Sequence, residues 1–234
     1  MVSSKEGSIA EVEYHGLRAE SMPKHVALFI DDDRVASRRV LHDIARICCD
    51  LGIKVLSIYT HSCRNFLEPK EVGFVRNITK SELEDLARND IRVSVIGKRS
   101  AILDSQLKII KEAEESTKNN RSLHIIEAID YTGCNDIIQA CIAFAEMVIN
   151  GLIQPEDIEE DVFEQELETK CSEFPNPDLM IRTGGKYSID NYMLWQMAYS
   201  ELYFVEKDDT EFNNTSFIKA LHEYLKRSRR FGGK

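Results

Sequence analysis

Short apolar bursts alternate along the chain with longer segments in which apolar residues recur every three or four positions. The bursts cover residues 25–31 (HVALFID), 53–60 (IKVLSIYT), 91–97 (IRVSVIG), 123–129 (LHIIEAI) and 179–182 (LMIR), with 202–205 (LYFV) as a sixth. Most are apolar without alternation, the pattern of strands covered on both faces. Helical periodicity fills 40–51, closed by Gly52, then 71–89, 100–119, 135–150 before Gly151, and 216–229; Pro155 opens an acidic stretch to residue 171. Alternation of this kind predicts an α/β fold, a central parallel sheet of about six strands flanked by helices. No repeat is visible, the connections are short, and Pro175-Asn176-Pro177 reads as a rigid lead-in to a strand. We expect one domain over 22–234 behind a flexible segment, 1–21.

Composition narrows the function. The 234 residues are 43% hydrophobic and 30% charged, enough for a sizeable core, and the net charge of −10 disfavours a nucleic-acid surface, which needs a basic footprint. Six cysteines, at 48, 49, 63, 134, 141 and 171, form no C-x-x-C pair, so neither a zinc knuckle nor a dithiol redox site is signalled and reduced thiols are expected. The first residues lack an apolar signal region and are too acidic for a transit peptide, and no apolar run approaches the ~18 residues of a membrane span. A soluble, cytoplasmic chain is the expectation, with an organelle leader ahead of the given sequence left open.

Ligands of open parallel sheets bind beyond the carboxyl ends of the strands. Three polar runs fall there: Asp31-Asp32-Asp33-Arg34, His61-Ser62-Cys63-Arg64-Asn65, and Arg182-Thr183-Gly184-Gly185-Lys186. Adjacent carboxylates repel, and Mg²⁺ shared with substrate phosphates relieves such repulsion; a solvated turn with Asp33 capping the next helix is the alternative. Arginine clamps phosphate bidentately and Gly-Gly lets backbone N–H groups face an anion, whereas an ordinary glycine turn needs neither. The basic Arg227-Ser228-Arg229-Arg230 run near the end is either a solvated tail or a second anion contact.

Four longer segments resemble the cis-prenyltransferases, the undecaprenyl and dehydrodolichyl diphosphate synthase family. They are Met22-Pro-Lys-His-Val-Ala, Asp178-Leu-Met-Ile-Arg-Thr-Gly-Gly, Leu194-Trp-Gln-Met-Ala-Tyr-Ser-Glu-Leu-Tyr-Phe and Arg229-Arg-Phe-Gly-Gly, in family order. The resemblance spans about residues 23–233. It implies a parallel sheet with an apolar tunnel, and an Mg²⁺-dependent transfer of prenyl groups in which an allylic diphosphate is extended by isopentenyl diphosphate. It also implies a homodimer, or a heterodimer with a sister chain, and peripheral membrane contact through a lipid product. By motif position, Asp31 is the implied catalytic and metal-binding aspartate and Glu201 its metal partner. Arg182 is implied to hold isopentenyl diphosphate, Arg230 and Gly232 to reach across the dimer, and Arg34, Ser62 and Asn65 to complete the substrate contacts.

The departures cluster on the diphosphate contacts. Where the family reads Asp-Gly-Asn-Gly-Arg, this chain reads Asp31-Asp32-Asp33-Arg34, and the stretch that follows is shorter. An arginine of the second loop becomes Glu68, and an arginine and a serine after Arg-Thr-Gly-Gly become Ser188 and Asp190. Asp32 and Asp33 then stand as candidate extra metal ligands; His61 is either a new donor or proton carrier or a filler of the family's aromatic slot. Two functions follow: a prenyl-transferring enzyme of short-chain or atypical chemistry, or a non-catalytic partner subunit of a cis-prenyltransferase heteromer.

Overall fold

A computed structural model describes residues 17–30, 38–60, 74–75, 78–206 and 212–228. Six strands form one sheet: β1 (His25–Ile30), β2 (Val55–Thr60), β3 (Ile91–Gly97), β4 (Leu123–Ile129), β5 (Leu179–Arg182) and β6 (Glu201–Phe204). Their order is β3-β4-β2-β1-β5-β6, with every pairing parallel. All six apolar bursts are therefore strands. β1, β4 and β5 are buried along their whole length, which is why their sequences show no alternation.

The helices are α1 (Arg38–Asp50), α2 (Lys80–Arg88), α3 (Asp104–Thr117), α4 (Gly133–Ile149), α5 (Glu160–Glu164) and α6 (Asn214–Leu225). Side-chain caps mark the starts of α2, α4 and α6. α2 starts at residue 80 rather than 71 because Thr79 and Glu82 form a reciprocal capping box. α4 starts two residues early because the Thr132 hydroxyl accepts from the Asn135 N–H, and Asn213 caps α6 the same way through Ser216. The acidic stretch read as one unit breaks into the 3-10 turn Pro155–Asp157, the five-residue α5 and the 3-10 turn Glu168–Cys171. Ahead of β1, Ala19–Ser21 form a 3-10 turn and Leu17 packs on the core.

One face of the sheet carries Val26, Leu28, Ile30, Leu56 and Ile58 against Leu41 and Ile44 of α1, Ile110 of α3, and Phe217 and Leu221 of α6. The other carries Phe29, Tyr59, Ile126 and Met180 against Tyr131, Tyr192, Met193 and Met197. The chain winds from β1 outward to β3, then returns across β1 to β5, so the reversal of winding lies between β1 and β5. A crevice opens at such a point in a parallel sheet. Asp178 pins its far end, its Oδ2 accepting from the backbone N–H groups of Lys24 (2.7 Å) and His25 (3.2 Å).

Two histidines sit inside the sheet, each sharing a hydrogen bond with a serine of the next strand: His25 with Ser57 at 2.9 Å, and His124 with Ser94 at 2.8 Å. Burial holds both imidazoles neutral, lowering each from 6.5 to about 3. Between those values the unfolded chain binds protons that the folded chain refuses, so stability falls on acidification from about pH 6.5 towards 3, by at most ~1.4 kcal/mol per pH unit for each histidine. Urea denaturation at stepped pH is expected to show that fall, and the pair H25Q/H124Q to flatten it above pH 4.5.

Candidate active site

Arg182 is the last residue of β5 and pairs with Phe29 of β1, at the carboxyl side of the winding reversal. Its side chain has no exposed surface. The guanidinium lies over the Phe29 ring, 4.2 Å from the centroid. Its Nη1 donates to the carbonyl and to the hydroxyl (3.0 Å) of Ser188, and its Nη2 donates to Asp190 Oδ2 at 2.7 Å. The Ser188 hydroxyl donates in turn to Asp190 Oδ1 at 2.6 Å. The Arg182 and Ser188 hydrogen bonds hold the Asp190 carboxyl down at about 2.

The backbone after β5 makes this arrangement. Thr183 N–H donates to the Phe29 carbonyl at 3.0 Å, continuing the ladder by one residue. Gly184 and Gly185 then turn through φ of 86° and 68°, which glycine adopts without a Cβ clash. Asp190, Asn191 and Met193 also lie in the left-handed region, coiling the chain back over its own strand. Asn191 anchors the coil to α4: its carbonyl accepts from Gly133 N–H (2.7 Å) and its side-chain oxygen from Cys134 N–H (2.8 Å). A Cβ on Gly133 would come within 2.8 Å of the Leu194 nitrogen, so the helix start and the coil meet without room for a side chain.

Beneath them, Tyr192 is buried among Phe29, Tyr59 and Tyr131 at ring separations of 5.8, 5.0 and 5.9 Å. The Tyr131 hydroxyl donates to buried Asp136 at 2.7 Å, which also accepts from Gln196 Nε2 and from Glu168 N–H, both at 2.9 Å. One carboxylate thus joins α4, the Glu168 turn and the segment after Asp190.

Glu201 is placed differently from Arg182. It opens β6 opposite Leu179, whereas Arg182 lies opposite Phe204. Three residues of strand separate the two levels, about 10 Å. Glu201 Oε2 accepts from Arg227 Nη1 at 2.8 Å, so its nearest cation is on the segment after α6. Among the described residues no group of three or more His, Cys, Asp or Glu could hold a metal ion. Asp31, Asp32, Asp33, Arg34, His61, Ser62, Asn65, Arg230 and Gly232 lie outside the described residues. The structure therefore brings together Arg182, Ser188, Asp190 and Phe29, of which the motif reading had placed only Arg182 in the site. Ser188 and Asp190 had been noted only as lost diphosphate contacts.

Comparison with known proteins bears on this arrangement. The prenyltransferase family model, described as "Putative undecaprenyl diphosphate synthase", matches residues 34–232. Dehydrodolichyl diphosphate synthase 2 of Arabidopsis thaliana is 40% identical over 237 residues, covering 93% of this chain and 76% of the relative. The chloroplastic (2Z,6Z)-farnesyl diphosphate synthase CPT6 of Solanum lycopersicum is 39% identical over 230 residues, covering 92% and 81%. Among solved structures, lavandulyl diphosphate synthase from Lavandula x intermedia, in complex with dimethylallyl diphosphate, is similar with a TM-score of 0.76 and 31% identity, over 91% of this chain and 99% of that one.

Asp136→Ala would leave the Tyr131 hydroxyl, the Gln196 amide and the Glu168 N–H without their acceptor. We expect a loss of about 3 kcal/mol in denaturant unfolding, from the burial of unsatisfied donors. Asp136→Asn, which keeps an acceptor, should lose less.

Proposed function

The chain belongs to the undecaprenyl and dehydrodolichyl diphosphate synthase family of cis-prenyltransferases, transferases of prenyl groups, and we propose that it joins an allylic diphosphate to isopentenyl diphosphate to give a short prenyl product. The observation that carries this is Arg182, a fully buried guanidinium at the winding reversal with its hydrogen-bonding edge turned to an anion. In this reading the second substrate's diphosphate meets Arg182 and the backbone turn at Gly184 and Gly185, the allylic diphosphate lies beyond β1 with Arg34, Ser62 and Asn65, and the growing chain occupies an apolar tunnel. Phe29 and the aromatic layer beneath it hold Arg182 in place and keep water from its inner face.

Mg²⁺ belongs to this reading through Asp31, with Asp32 or Asp33 beside it, where it would neutralise diphosphate charge. Glu201 fits that role in another chain better than in its own, because its strand position separates it from the carboxyl edge of β5. Such a contribution requires a dimer, in which Arg230 and Gly232 would reach the same neighbour. The surface available for it is α4, where Ile138, Ile142 and Ile149 are 54%, 47% and 83% exposed. Beside them Cys141, Phe144, Val148 and Phe163 line an apolar groove of about 460 Å³. Contiguous apolar surface of this kind marks an interface.

A second reading, the non-catalytic subunit of a heteromer, is favoured by the internal ion pairs. Both described residues of the implied ligand set are engaged within the chain, Arg182 by Asp190 and Glu201 by Arg227. For the compartment we infer the cytoplasm, with the plastid named for several relatives as the alternative; no helix among the described residues is long and apolar enough to cross a membrane, and in this reading membrane contact is peripheral, through the product.

The purified chain with Mg²⁺, isopentenyl diphosphate and dimethylallyl, geranyl or farnesyl diphosphate should yield a short prenyl diphosphate by mass spectrometry, lost in Asp31→Ala. Silence alone, with activity on mixing with an active homologue, would transfer the chain to the subunit reading. The variant I138E/I142E should run as a monomer in light scattering while the parent runs as a dimer; a monomeric parent would remove the α4 interface.

A further inference from the structure

We propose that Asp190 is a built-in competitor for the second substrate's diphosphate: its carboxylate fills the anion seat of Arg182, and isopentenyl diphosphate binds only by displacing it. This rests on the reading above that the end of β5 receives a diphosphate. The guanidinium is pinned from behind by the Phe29 ring and has no exposed surface. It cannot swing out to meet a ligand, so the ligand must come to its edge. That edge is already taken. Nη2 serves Asp190 Oδ2, Nη1 serves Ser188, and the Ser188 hydroxyl closes the ring onto Asp190 Oδ1.

The outer member of this ring is the movable one. The Asp190 side chain is 32% exposed against none for Arg182, so solvent can receive the carboxylate when it leaves. Its backbone φ of 41° puts it in the left-handed region, which aspartate tolerates and which returns its side chain towards β5. A carboxylate tethered eight residues from its arginine acts at a high effective concentration, and a free diphosphate has to outcompete it.

The consequence is a specificity filter at one substrate only. Each round of extension needs a fresh isopentenyl diphosphate on Arg182, while the allylic diphosphate at the end of β1 does not touch this ring in the reading above. Slow refilling lets the allylic product leave before it is extended again, and products stay short.

Binding decides it without turnover. Isopentenyl diphosphate titrated calorimetrically into the chain, with no allylic substrate present, should bind at least tenfold more tightly to Asp190→Asn and to Asp190→Ser than to the parent. The gain should disappear when Arg182→Ala is added. Equal or weaker binding by both folded variants would overturn the inference, whatever the prenyl-transfer assay shows. Tighter binding in a chain that forms no product would uphold it and count against the catalytic reading alone. If circular dichroism shows that neither variant folds, a crystal structure of the parent soaked with isopentenyl diphosphate settles the matter. Diphosphate on Arg182 with the Asp190 carboxylate turned to solvent supports the displacement; diphosphate elsewhere with the ion pair intact defeats it. In an active chain, Asp190→Ser should also lengthen the products.

Discussion

A guanidinium removed from water needs an anion and acceptors, and the carboxyl edge of the sheet supplies them to the two terminal nitrogens of Arg182. The residue ends β5, the strand next to the sheet's edge, with β1 on one side and the edge strand β6 on the other. Phe29 supplies a π face, Ser188 two acceptors and Asp190 the counter-charge. To bring residues 188 and 190 back over residue 182, the chain turns at two glycines and holds three further residues in the left-handed region. That coil is in turn held by Asn191 on the start of α4 and by Asp136 on Gln196. The local strain of the coil is offset by contacts spread over α4, the Glu168 turn and the aromatic layer.

The same constraint explains how one ion pair can be both structural and functional. A buried arginine without an anion would be costly, so an unliganded site must either admit water and ions or provide an internal partner. Asp190 is such a partner. Folding thus supplies the arginine's anion before any ligand does, and in the proposal above binding is an exchange of one anion for another.

Much of the fold was legible because the sheet is covered on both faces. Strands of that kind write themselves as unbroken apolar runs, and all six runs became strands within two residues at either end. Helix ends were less legible, although their signals were present. Thr79-x-x-Glu82 is a capping box in plain sequence, and it, not the apolar spacing, sets the start of α2. The break-up of 155–171 follows from packing: Asp136 and Gly97 draw on Glu168 from outside the segment, which no local pattern reveals.

The site was legible only where a residue's partners are close in sequence or fixed by a motif. Arg182-Thr-Gly-Gly reads in the sequence as an anion seat or an ordinary glycine turn, and the structure sets an anion, Asp190, on the arginine. That Asp190 occupies the seat depends on successive left-handed residues, which Asp-Asn permits but does not require. Glu201 poses a different problem: its motif is plain in the sequence, whereas its level along the sheet is not. β6 runs parallel to β5, so its first residue is at the amino edge beside Leu179. A carboxylate there is ion-paired to Arg227. Strand register, which sequence leaves unstated, therefore decides which residues stand level with Arg182: Phe204 does and Glu201 does not.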